Sequence, residues 1–133
     1  MPYNLKLIPK SDYLYATVQG DNSPANIQQY LLEVKHSCEL HNCRKVLIEE
    51  NLQGPTIGTF DIFEIVTKLS QDAAQAKLKI AYVDVNRKHD MNAMHFAESV
   101  ARNRSVNVRM FSNIREAEEW LQKDAQTDRL VKG

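Results

Sequence analysis

The sequence contains no long apolar run. Nowhere does it approach the roughly 20 consecutive apolar residues that a membrane-spanning helix requires, so no span is expected. Its start, Met1-Pro2-Tyr3-Asn4, lacks the basic-then-apolar plan of a secretion signal, and a cytoplasmic location is the expectation. Glycine and proline are scarce at four each, which excludes collagen-like and low-complexity architectures. No charge is in excess either. Seventeen basic residues balance seventeen acidic ones, and neither sign gathers into the kind of run that attracts phosphate backbones, so no nucleic-acid partner is expected. Cysteine is limited to Cys38 and Cys43, whose placement around a helix end is poor geometry for bridging; both read as free thiols. The chain also lacks the glycine-rich loops that cradle phosphates and the Gly-x-Ser-x-Gly nucleophile elbow, and no cofactor is expected.

What remains is an ordinary globular composition, 43% apolar over 133 residues, enough for one hydrophobic core and too little for two. One domain spanning 1–133 is expected. Two β-rich runs, 3–9 and 13–19, flank Lys10-Ser11-Asp12 and read as a hairpin. Ser23 before Pro24 starts a helix over 23–41, whose stripe includes Ile27, Tyr30, Leu31, Val34, Cys38 and His41. A strand at 44–49, a helix at 59–76 begun by Thr59 and Asp61, and a strand at 78–84 follow. A helix at 90–103, a strand at 106–111 and a helix at 113–123 opened by an Asn113/Glu116 capping box complete the order. From Gln122 onward the chain turns polar and is expected to fray.

Strands separated by single helices cannot be hairpins. The fold class is therefore α/β: an open, mainly parallel β-sheet with βα repeats and an N-terminal antiparallel hairpin strand. Alternation within 13–18 and 106–110 predicts that one sheet face is less covered than the other.

The segments KIAYVD (79–84), FAESVARNR (96–104), VRMF (108–111) and EAEEWL (116–121) resemble the SpoIIAA-like family of small bacterial proteins. That group is described as sharing its fold with STAS domains and as similar to Sec14-type lipid-binding domains. The resemblance implies the same fold and a regulatory or ligand-binding role. STAS-type antagonists of anti-sigma factors carry an Asp-Ser-Ser-Gly-like motif whose serine is phosphorylated. The matching stretch here is Pro55-Thr56-Ile57-Gly58, with isoleucine at the phosphoserine position and Thr56 and Thr59 alongside.

In parallel sheets ligands gather beyond the carboxyl ends of the strands. The loops expected there offer Glu49, Glu50, Asn51, Thr56, Gly58, Thr59, Asp84, Asn86, Arg87, Lys88 and His89 as candidate ligand or partner contacts, against the plain alternative that these are solvated caps. Glu49 and Glu50 should point to opposite faces of a strand, so they cannot share a proton; Glu49 with Asp84 is the geometrically allowed acid pair. Tyr13, Tyr15 and Arg109 are a candidate interface, since aromatic and arginine side chains favour contact surfaces. Phe60, Phe63, Met91 and Met94 are a candidate apolar lining. His36, Cys38, His41 and Cys43 match no zinc spacing, and no metal is expected. The first reading is a non-catalytic binding or regulatory module acting through a protein partner or a homodimer. A carrier of a small hydrophobic ligand or lipid is the alternative, and an enzyme with a carboxylate-based site ranks third; its mark would be Glu49, Asp84 and His89 converging in one pocket with a displaced pKa.

Overall fold

The structure, a computed structural model, describes residues 3–123, so the expected frayed tail falls almost wholly outside the described residues. β1 (Tyr3–Pro9) turns Tyr3, Leu5 and Leu7 inward and leaves Asn4, Lys6 and Ile8 exposed, the period of two that a half-covered strand requires. It pairs antiparallel with β2 (Leu14–Asp21). Then follow α1 (Pro24–Leu40), β3 (Lys45–Gln53), α2 (Thr59–Gln75), β4 (Lys79–Asp84), α3 (Met91–Asn103), β5 (Asn107–Phe111) and α4 (Ile114–Gln122). Among the described residues the elements follow the expected order.

The helix boundaries follow from local chemistry. Ser23 accepts from the Asn26 N–H, Asp90 from Asn92 and Asn113 from Glu116, each satisfying a donor that the first helical turn leaves orphaned. At α2 the expectation is corrected: Gly58 is the N-cap and Thr59 the first helical residue, with no side-chain cap. Asn42 takes the left-handed exit after α1 with φ 52°. His41, expected in the core stripe, is exposed, because the helix ends at Leu40 and its Nδ1 instead lies 2.9 Å from the Ser37 carbonyl.

The five strands lie in sequence order, β1-β2-β3-β4-β5, with β2 to β5 parallel. That order decides the layering. Right-handed crossovers that always step the same way put every connecting helix on one face. Thus α1, α2 and α3 share a side, while α4, which follows the last strand, folds back over β3, β4 and β5 on the other. The second face is less covered, as the alternation predicts.

The larger core joins Leu14, Ala16, Val18, Val46, Ile48 and Leu52 of the sheet to Tyr30, Val34 and Cys38 of α1. A smaller one under α4 contains Tyr13, Leu47, Ala81, Val83, Ala117 and Leu121. Cys38 and Cys43 are free, and burial pushes the Cys38 thiol up to about 12, leaving it inert at neutral pH. No helix among the described residues is long and apolar enough to cross a membrane.

α2 packs mainly on α1 and α3 and stands off the strands, so it forms a roof more than a wall.

Candidate functional site

Beneath that roof lies an apolar cavity of about 200 Å³. Ile27, Leu31 and Val34 of α1 line one side, Met94, Ala97 and Ala101 of α3 the other. The inward stripe of α2, Ile62, Ile65, Val66, Leu69 and Ala73, closes it from above, and Val46, Ile48, Ile80 and Val108 form its floor. Cavities of about 150 Å³ lined this way stay dry and accept a benzene-sized guest, so this one has room for a somewhat larger apolar group.

Toward the carboxyl ends of the strands the lining changes character. Glu50, Tyr82, Asp84 and His89 close that end, with Asn22 and Thr56 beside them. Glu50 and Asp84 are register partners on β3 and β4, which places both side chains on the helix-covered face of the sheet. Glu50 is only 3% exposed. It accepts a hydrogen bond from the Tyr30 hydroxyl of α1, and that hydroxyl lies 3.1 Å from the hydroxyl of Tyr82. Loss of hydration is the largest influence on the Glu50 carboxyl and raises it to about 7; the two tyrosine hydroxyls oppose the shift, the Asp84 charge adds to it, and His89 opposes it. Both tyrosines are in turn raised well above their ordinary range, first by burial and then by the Glu50 charge.

His89 fastens this end together. Its Nδ1 lies 2.6 Å from Asp84 Oδ2, and the side chains of His89 and Asp84 are only 5% and 4% exposed. Nδ1 therefore faces an acceptor, whereas Nε2 has the Gly54 carbonyl at 3.1 Å and the amide nitrogens of Asn22 and Asn86 at 3.3 and 3.4 Å around it. Gly54 can present that carbonyl because it sits at φ 122°, a conformation that a residue with a Cβ rarely adopts. Asn22 and Asn86 complete the knot. Asn86 Nδ2 donates to the Leu52 carbonyl at 2.7 Å, Asn22 Nδ2 to the Pro55 carbonyl at 2.8 Å, and Thr56 Oγ1 accepts from the Asp90 N–H at 3.0 Å. The loops after β2, β3 and β4 are thereby tied to one another.

Several sequence expectations need correction. Glu49, Glu50 and Asn51 are not loop residues, because β3 runs on to Gln53 through pairing with β2 and β4 on both sides. The acid pair is Glu50 with Asp84, not Glu49 with Asp84; Glu49 points to the α4 face, where the Tyr15 hydroxyl donates to it. Of the expected apolar lining, only Met94 faces the cavity. Phe60 is 73% exposed, and Phe63 and Met91 are also exposed, because the inward phase of α2 is set by Ile62, Ile65 and Leu69. Tyr13 is buried under α4 and donates to Glu118 at 2.6 Å, so it offers no open surface. Tyr15 is half-buried, and Arg109 is exposed with its guanidinium 5.9 Å from the Trp120 ring centre. Gly58, Thr59, Arg87 and Lys88 lie on the surface.

Tyr30 and Tyr82 were not singled out as site residues. The only signal for them was a hydroxyl on an inward-facing position, which demands a buried partner. One atom each of Glu50, Asp84 and His89 lie within 4.8 Å of one another, a spacing that a metal ion could bridge, but Asp84 and His89 are already bonded to each other.

No family model matches the chain, and no curated protein matches it by sequence. Among solved structures, a variant of RsbS from Moorella thermoacetica is similar, with 11% identity, a TM-score of 0.51, and coverage of 97% of this chain and 98% of that one. The likeness shows a SpoIIAA/STAS-like fold, the one expected from the sequence.

Proposed function

We propose that the protein is a non-catalytic binding module that holds a small apolar ligand between its sheet and the α1–α3 layer. The observation that carries this reading is the 200 Å³ apolar cavity under α2, closed at one end by Glu50, Tyr82, Asp84 and His89. Apolar walls with a few convergent polar groups are the usual anatomy of a small-molecule site. The carboxylate enzyme has a weaker claim, although Asp84, His89 and a carboxyl with a displaced pKa do converge, because Tyr30 and His89 spend their hydrogen bonds inside the cluster. The two free thiols fit a reducing cytoplasm.

Native mass spectrometry of freshly purified protein is expected to find a retained apolar molecule. A compound present at a hundredfold excess over its Kd should stabilise the fold by about 2.7 kcal/mol. The Ala97→Phe variant, which fills the cavity from α3, should lose both effects. Protein that is repeatedly empty, and whose melting temperature no apolar compound raises, overturns the reading.

A protein partner is the second reading, favoured by the exposed apolar side chains Phe60, Phe63 and Met91 at the starts of α2 and α3. If that surface joins two copies, light scattering should detect a dimer that Phe60→Ser dissociates. A monomer at every concentration removes this form of the reading.

A further inference from the structure

We propose that the ligand is an apolar primary amine, its tail under α2 and its ammonium group held by the carboxyl groups of Glu50 and Asp84. The inference rests on the ligand reading above and adds the chemistry of the head group.

Most of the donors at the polar end are already committed. Tyr30 donates to Glu50, and His89 faces Asp84 with one ring nitrogen and the Gly54 carbonyl with the other. The amides of Asn22 and Asn86 donate to the Pro55 and Leu52 carbonyls, and both nitrogens also lie against His89 Nε2, at 3.3 and 3.4 Å. What remains is acceptor capacity, since a carboxylate offers about four lone-pair sites and Glu50 and Asp84 use only part of theirs. A ligand that donates finds its partners there.

Charge points the same way. Two neighbouring carboxyl groups face one histidine, leaving one negative charge unbalanced when all three are ionised. The lysine on the cavity wall, Lys35, is engaged elsewhere, 3.4 Å from Glu39. An ammonium brings three donors and the missing positive charge, and a buried charge is tolerated only when paired and hydrogen-bonded. A fatty carboxylate would bring acceptors to acceptors and add a third negative group.

Protonation gives the proposal a signature. The titratable groups facing Glu50 are Tyr30 from α1, Tyr82 and Asp84 from β4, and His89 from the loop after β4. Because the Glu50 carboxyl titrates at about 7, an ammonium must displace its proton at lower pH and meets a carboxylate at higher pH. Amine affinity should rise about tenfold between pH 6 and pH 8 and then level off.

Titration calorimetry with octylamine, octanol and octanoate at both pH values tests this. Octylamine is expected to bind at pH 8 at least tenfold more tightly than octanol, with octanoate weakest. In Glu50→Gln the amine should lose its advantage and its pH dependence while octanol binding persists, which also shows that the variant is folded. Equal or tighter binding of octanol or octanoate overturns the amine proposal and leaves the cavity reading intact. Failure of all three to bind overturns both.

Discussion

His89→Ala is expected to lose about 1 to 3 kcal/mol of folding stability, the usual cost of leaving a buried acceptor without its hydrogen-bond partner. The substitution leaves the Asp84 side chain only 4% exposed, with the Asn86 N–H at 2.9 Å still donating to Oδ1 but nothing facing Oδ2. It also unties the Gly54 carbonyl, and with it the link between the loops after β3 and β4. A domain of this size has about 5 to 15 kcal/mol in total, so the loss should be plain in urea unfolding at neutral pH. Replacing both partners with leucine should recover much of it, since the penalty lies in the acceptor left without a partner and not in the absence of the pair. A shift well under about 1 kcal/mol for His89→Ala would show that water reaches Asp84 and that the end of the cavity is open.

The same knot marks where sequence reasoning stopped. The caps at Ser23, Asp90 and Asn113 were legible because each is settled by a side chain and a backbone N–H two or three residues away. The parallel order was legible because single helices between strands leave no other connection. The end of β3 was not legible. Glu50, Asn51 and Gln53 have the composition of a loop, and they are strand only because β2 and β4 supply ladder partners from distant parts of the chain. Strict alternation did separate Glu49 from Glu50, but it could not say which face three helices would cover. That depended on a strand order without reversal, which puts α1, α2 and α3 on one face and the cavity beneath them. The aromatic residues of α2 misled for a related reason: a large apolar side chain near a helix start is as compatible with the outer phase as with the inner, and Phe60 and Phe63 lie outside.

Glu50→Gln should make the protein more stable above neutral pH, and the sign follows from where the carboxyl titrates. Its folded value, about 7, lies above the ordinary 4.5, so the native state resists ionisation that the unfolded chain accepts. The contribution of the protonated form is fully present below about pH 4.5 and is lost as pH rises through about 7. At about 1.4 kcal/mol per unit, the wild type forfeits on the order of 3 kcal/mol across that window. Glutamine does not titrate; its carbonyl can accept from Tyr30, and its amide can donate toward Asp84. Urea midpoints measured from pH 5 to pH 8 should therefore diverge, with the variant gaining on the wild type until about pH 7 and running parallel beyond. Curves that stay parallel throughout would mean that Glu50 is ionised and solvated in the native state. Octylamine should narrow the gap at pH 8 by stabilising the wild type more than the variant. A group that weakens the empty fold yet is relieved by a bound cation fits a residue kept for binding more than for folding.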